Sequence, residues 1–351
     1  MTPVRRGVVV ALFLLLGLAA AAYVAIRWID SQANARLPLG EPMTIVVPPG
    51  SSLTAVAREL HARGILTYPR LWIAHARVHR LADRIQAGEY EIEPGDSAAR
   101  FLRKLVAGEV VLREITIVEG WSFRDMMRAL RENSAIHQAL SGASDAEVMS
   151  RLGSPGVHPE GQFFPDTYRF AAGTTDIEIL RQAHVRMQER LRAAWEARVL
   201  ELPLASEYEA LILASIVEKE TALASERPRI AGVFIRRLRV GMRLQSDPTV
   251  IYGIGARYDG NIRSSDLQTD SAYNTYTRRG LPPTPIALPG EAALRAVTQP
   301  DDSGALFFVA TGAGDGSHHF SATLAEHNAA VKRYLARQHE QAATQESARK
   351  D

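Results

Sequence analysis

The sequence predicts an α+β protein: a single transmembrane helix at the N-terminus, a small α+β module, then a larger mixed α+β domain. Three observations carry this expectation. Val8 to Ile26 is an uncharged apolar run of 19 residues. After it, β-branched segments alternate with amphipathic helical patterns, separated by Gly and Pro turns. The composition over 351 residues, 46% hydrophobic and 23% charged, is that of an ordinary folded protein. It excludes a disordered chain, a collagen and a multi-span membrane protein.

The apolar run extends roughly 28 Å as a helix, close to the thickness of a hydrocarbon core. Arg5 and Arg6 precede it, which puts the N-terminus in the cytoplasm. Residues 1–7 are thus expected as a cytoplasmic tail, 8–27 as the span and 28–42 as a linker, with Trp28 an interfacial anchor. A cleaved signal peptide is the alternative, since Ala19 to Ala22 offers small residues for cleavage. The run is long for that role and continues through Tyr23, Val24 and Ile26. Either way the body of the chain is exported. Cysteine is absent, which excludes a disulfide scaffold, a thiol nucleophile and Cys-based metal sites. A net charge of +2 argues against a dedicated nucleic-acid binder.

Residues 43–112 read as the small module. Met43–Val47 is strand-like, Pro48-Pro49-Gly50 a turn, and Ser51 or Ser52 a cap for a helix over 53–63. Leu53, Val56, Ala57 and Leu60 share one helical face, and Gly64 ends that helix. Pro69 opens a helix to Leu81, Glu89–Glu93 alternates as a strand, and Asp96 or Ser97 caps a helix closed by Gly108. The opening recurs 70 residues later: Ile45, Gly50, Ser52, Leu53 and Leu60 align with Ile115, Gly120, Ser122, Phe123 and Leu130. Shared turn chemistry alone could produce that recurrence.

The larger domain is expected over 113–337. Much of 141–159 reads as loop. Helices are expected over 177–200, 208–221 and 227–238, and 241–289 is poor in periodicity, a length of loop that is usually functional. Ala305–Ala310 reads as a strand paired through Phe320, and 323–335 as a closing helix. Residues 338–351 read as a polar, frayed tail.

Four segments carry candidate chemistry. On the helix Ala210 to Thr221, Leu211, Ala214, Ser215 and Glu218 share a small apolar face, so Glu218 points at a core or cleft. Burial would raise its pKa toward what a general acid needs; a structural salt bridge with a nearby Arg fits the same spacing. Glu220 lies about 200° round and is expected to cap or pair at the helix end. Gln245 and Ser246 suit sugar hydroxyls, and Asp247-Pro248 marks a capped helix start. Tyr273-Asn274-Thr275-Tyr276 and the proline-stiffened loop to Ile286 suit either a carbohydrate groove or a plain loop core. His318 and His319 are adjacent, but no His-x-x-x-His spacing accompanies them on a helix, so no metal is expected. No serine-hydrolase elbow, Walker A or dinucleotide fingerprint occurs.

Taken in order, the motifs resemble the YceG-like endolytic murein transglycosylases. They are Glu160-Gly161 to Tyr168, Ile216 to Thr221, Leu244 to Gly253, Tyr273 to Tyr276, Gly280 to Ile286, and Gly316-x-His318-x-Phe320-Ser321 with Glu326-His327-Asn328. They span about residues 44–336. The resemblance implies an inner-membrane, single-pass protein with its body in the periplasm, and a LysM-like module over 43–112. It implies lytic cleavage of the MurNAc–GlcNAc β-1,4 bond of nascent peptidoglycan strands, leaving 1,6-anhydroMurNAc ends and terminating elongation. No cofactor is implied. Peptidoglycan is the expected partner, with cell-wall synthases beside it and no nucleic acid.

Glu218 matches the family's catalytic glutamate. Gln245, Ser246, Asn274, Tyr276 and His318 are the expected substrate contacts, and Glu220 and Asp247 are expected to support them from behind. A lytic enzyme needs one acid/base, because the C6 hydroxyl of the same sugar supplies the nucleophile. A hydrolase would need a second carboxylate about 5–9.5 Å from the first, for which Asp247 is the candidate. A non-catalytic, membrane-anchored peptidoglycan-binding scaffold is the rival class.

Overall fold

The structure, a computed structural model, describes residues 3–348; positions 1–2 and 349–351 of the expected tails lie outside the described residues. It is a mixed α+β protein with three two-stranded sheets among the described residues. Two compact units are present. The first ends at Arg113 and takes in Arg169–Gly173; the second holds Glu114–Tyr168 and the chain from Thr174 onward.

The first unit opens with α1 (Pro3–Asn34), whose stretch from Val8 is long and apolar enough to cross a membrane. Its apolar side chains, such as Phe13, Leu14 and Leu18, are uncovered by the rest of the chain. The helix runs past the expected span, and residues 28–42 are not a free tether. Ala33 and Leu37 are buried, the Leu37 amide donates to the Asp96 carbonyl at 2.8 Å, and Arg36 bridges Ser97. Burial of these few apolar side chains outweighs the polar, Pro/Gly-containing character of the segment.

The rest of this unit follows its sequence signals closely. β1 (Met43–Val47) is followed by α2 (Leu53–Ala62), α3 (Pro69–Val78), β2 (Gly88–Ile92) and α4 (Ala98–Ala107). β1 and β2 are antiparallel with Ile45 opposite Tyr90. Both side chains are fully buried, as the period of two in a strand demands on a one-sided sheet. Ser52 and Ser97 accept hydrogen bonds from the amides three residues on, and Gly108 closes α4 in the left-handed region. The Trp72 indole, buried in this core, donates to the Ala98 carbonyl at 2.7 Å.

The 70-residue recurrence is physical. After β3 (Leu112–Thr116), Gly120 adopts φ +78 where Gly50 adopts +76, and Ser122 caps α5 (Phe123–Glu132) as Ser52 caps α2. In the second copy Asp125 completes a capping box. The chain continues through α6 (Asp145–Arg151), β4 (Thr167–Ala171), α7 (Asp176–Glu196), α8 (Glu207–Glu220) and α9 (Arg227–Arg239). Next come α10 (Asp247–Ile254), α11 (Ser264–Gln268) and α12 (Glu291–Thr298), then β5 (Phe307–Ala310), β6 (His318–Ser321) and α13 (Leu324–Ala348). β3 pairs with β4, and β5 with β6, Phe308 opposite Phe320.

The core of the second unit is α8. Ala210 to Glu218 are all buried, and α7, α9, α10 and α12 pack around it. A helix covered on all sides has no polar face to display.

Four local expectations change. α6 lies within 141–159, capped by Ser144 and held by buried Val148 and Met149. α10 begins at the helix start expected at Asp247-Pro248, but α11 is a further short helix within 241–289 that the sequence did not signal. α12 starts at Gly290, which lacks a capping side chain, and it forms because Ala293, Leu294, Ala296 and Val297 are buried. α13 runs helical through the expected tail to Ala348.

Candidate active site

Glu218 stands in the last turn of α8 with its side chain almost closed to solvent, at 4% exposure. Oε1 accepts from Arg227 Nη2 at 2.7 Å, and Oε2 accepts from the Gly290 amide at 2.9 Å. Arg227 opens α9, and Gly290 is the N-cap of α12, so two helix starts converge on one carboxylate. Arg227 also lies 3.5 Å from Glu119 Oε2. Burial pushes the Glu218 pKa up; the Gly290 amide and Arg227 oppose the rise, Glu119 adds to it, and Lys219 opposes it. The net direction is up.

The turn holding Glu119 is tied to the loop before α12. The Gly120 amide donates to the Leu288 carbonyl at 2.9 Å, and the Leu288 amide to Trp121 at 2.7 Å. Lys219 Nζ donates to the Gly120 carbonyl at 3.1 Å. The left-handed φ of Gly120, the position matched in the recurrence, turns the chain here, and an added Cβ would lie 3.9 Å from Glu218 Cγ.

A second cluster flanks α8 on another side. The Ser246 hydroxyl donates to Glu220 Oε1, and the Tyr276 hydroxyl to Asp247 Oδ1, both at 2.5 Å. Burial raises the Glu220 pKa to about 7; the Ser246 bond opposes that rise, Asp247 adds to it, and Arg237 opposes it. The segments 245–247 and 274–276 are zipped together: the Gln245 amide donates to the Thr275 carbonyl and the Ser246 amide to Thr275 Oγ1. Gln245 has φ +50, a left-handed conformation unfavourable for a residue with a Cβ, and its side chain is exposed.

The expected site residues therefore divide. Glu220 with Ser246, and Asp247 with Tyr276, form two hydrogen-bonded pairs on the zipped segments, with Gln245 at their edge. Asp247 was expected as a helix cap, but Ser246 takes the N-cap position and Asp247 accepts from Tyr276 instead. Asn274, expected to contact sugar, is 1% exposed. Its Nδ2 faces the carbonyls of Asp266, Leu267 and Thr269, and its Oδ1 accepts from the Tyr276 amide. Those bonds make it a loop organiser. Ser246 is likewise buried, its hydroxyl held by Glu220.

His318 binds Glu226 twice, by its amide to Oε1 at 2.9 Å and Nδ1 to Oε2 at 2.7 Å. Glu226 directly precedes Arg227, so His318 reaches Glu218 only through those two residues.

Sequence reasoning missed Glu160, Arg227, Glu119, Gly290 and Glu226. Glu160 is 4% exposed; Oε1 accepts from the Phe123 amide at 2.8 Å and Oε2 from the Tyr252 hydroxyl at 3.0 Å. Burial raises its pKa to about 7 against those two bonds. Its signal was a lone carboxylate beside Phe163 and Phe164. The others carry none in the sequence, since partners such as Glu218 for Gly290 and His318 for Glu226 lie 72 and 92 residues away.

The sequence profile of the YceG-like family matches residues 45–333. The endolytic murein transglycosylase of Bacillus subtilis (strain 168) is 29% identical over 315 residues, covering 85% of this chain and 86% of that protein. The protein of the same name from Streptococcus pneumoniae strain R6 is 27% identical over 301 residues, 76% of this chain. The match spans only 54% of that longer relative. A crystal structure of a yceG-like protein from Listeria monocytogenes superposes with a TM-score of 0.51 at 26% identity, covering 82% of this chain and 98% of that one. With most of its length matched by that profile, the chain belongs to the YceG-like family.

Proposed function

We propose that this protein is an endolytic transglycosylase of peptidoglycan, and that Glu218 is its acid/base. The observation that carries the reading is the Glu218 carboxyl itself, buried at a helix end with its pKa raised. The names of the B. subtilis and S. pneumoniae relatives support the reaction class.

Glu218 gives its proton to the oxygen bridging MurNAc and GlcNAc, and the C1–O bond breaks. The C6 hydroxyl oxygen of the same MurNAc attacks C1, and its proton returns to the Glu218 carboxylate. A 1,6-anhydro end forms without consuming water, and the internal nucleophile acts at high effective molarity. Arg227 is shared between Glu218 and Glu119. A swing of the guanidinium toward Glu119 frees Oε1 and raises the Glu218 pKa further, which readies the acid. Gln245 and Tyr276 contact the sugar, while Ser246, Asp247, Asn274 and Glu220 hold them in place. The apolar helix anchors the chain in the inner membrane with its body in the periplasm, and residues 43–112 act as a LysM-like strand-binding module. Cell-wall synthases are the neighbours from which nascent strands come.

The test is product mass. Purified wild-type chain in detergent is expected to release fragments lighter than hydrolytic ones by one water, and Glu218→Gln none. Anhydro fragments from the mutant, or hydrolytic products from the wild type, would refute the assignment. The Arg227 ion pair favours one rival, a binding scaffold in which Glu218 is structural. That rival requires strands to bind the wild type without being cut.

A further inference from the structure

Away from the proposed active site, the first unit gathers Asp30, His75 and His79. His75 and His79 are four residues apart at the end of α3, their ring centroids 4.5 Å apart, and Asp30 comes from the last turns of α1. One carboxylate oxygen, Asp30 Oδ1, lies 2.8 Å from His75 Nδ1 and 2.9 Å from His79 Nε2. All three ligand atoms are within 4.8 Å of one another.

We propose that Asp30, His75 and His79 form a divalent-cation site that fastens the end of α1 to α3, with zinc the best fit. The donor set decides the metal. Two imidazole nitrogens and one carboxylate oxygen suit zinc and its transition-metal neighbours, whereas calcium and magnesium take oxygen ligands. The spacing is the His-x-x-x-His that the His318–His319 pair lacks. Exposure leaves a way in and a fourth position for water: the His79 side chain is 43% exposed, Asp30 23% and His75 9%.

Little rearrangement is needed. Ligand atoms around a tetrahedral zinc lie about 3.3 Å apart, so Asp30 Oδ1 would part from each histidine nitrogen by roughly half an ångström. Each neutral imidazole moves its proton to the outer nitrogen, which turns the inner nitrogen from donor to ligand. Asp30 follows Arg27 and Trp28 at the end of the apolar run, so the ion would brace the junction between that helix and the module.

The experiment uses the full chain in detergent, stripped of metal and titrated with Co2+, then Zn2+. One equivalent of Co2+ is expected to bind with the visible absorption of a tetrahedral site and to be displaced by Zn2+. Asp30→Asn and His79→Ala are each expected to weaken Co2+ binding at least tenfold; neither position is in a closed core, so far-UV circular dichroism should be unchanged. His79→Ala binding as much Co2+ as wild type, or a wild type binding none, would overturn the site and leave a hydrogen-bonded His–Asp–His brace. Neither result touches the transglycosylase reading.

Discussion

Arg227 Nη2 lies 2.7 Å from Glu218 Oε1, with 10% and 4% of the two side chains exposed. A buried pair of this kind has two consequences. Removing one partner leaves an unpaired buried charge, and the pair restrains the proton affinity of the carboxylate. Arg227→Gln is therefore expected to raise the Glu218 pKa further and to move the alkaline limb of the pH–activity profile upward. It should lower stability by about 2–4 kcal/mol at pH 8 and by less at pH 4, below the ordinary value of 4.5 from which the Glu218 pKa is raised. Urea melts at both pH values, with a pH–rate profile, check this; an unmoved alkaline limb would detach Arg227 from the acid.

Glu160 gives a prediction of the opposite sign for stability. Its folded pKa, about 7, lies above its ordinary value of 4.5. Stability from this group is thus full below pH 4.5 and is lost as the pH rises through 7. Glu160→Gln keeps an acceptor for the Phe123 amide and gains a donor for Tyr252. It is expected to stabilise the protein by about 1–3 kcal/mol at pH 8 and to change little at pH 4.5. Thermal melts at the two pH values decide it, and equal effects at both would be the contrary result.

Asn274 separates a loop organiser from a sugar contact. Its amide serves three carbonyls and one amide, and the side chain itself is buried. Asn274→Ala is expected to cost about 2–4 kcal/mol and to make 264–277 sensitive to proteolysis. A variant with wild-type stability but weakened strand binding would restore the direct contact.

Gln245 tests strain against use. Gln245→Gly is expected to be neutral or stabilising by up to about 1 kcal/mol, because it relieves the left-handed backbone. Cleavage should fall in both Gln245→Gly and Gln245→Ala, through loss of the side chain. Full activity in the glycine variant would leave the strain without a purpose.

The anchor can be tested by truncation. Removing residues 1–27 retains Asp30, Ala33 and Leu37 and is expected to give a folded protein that sediments free of membranes. Removing 1–40 uncovers the core of the first unit and should aggregate. Membrane retention of the first truncation would contradict the anchor.

Local chemistry made much of this protein legible from its residues alone. The apolar run, the serine caps of α2, α4 and α5, the glycine turns at 50 and 120 and the alternation of β1 depend on neighbours a few residues away. Glu218 stood out for a related reason, since the small apolar face around it is a property of one helix. Only the tertiary structure decided who meets that carboxylate. Arg227, Gly290 and Glu119 arrive from three separate elements, and no periodicity records a partner 72 or 99 residues distant. The same holds for Asn274, Ser246 and His318, whose polar groups look free in the sequence but are claimed by loop carbonyls, Glu220 and Glu226. Burial forces each buried donor and acceptor to find a partner, and which partner it finds is a matter of packing.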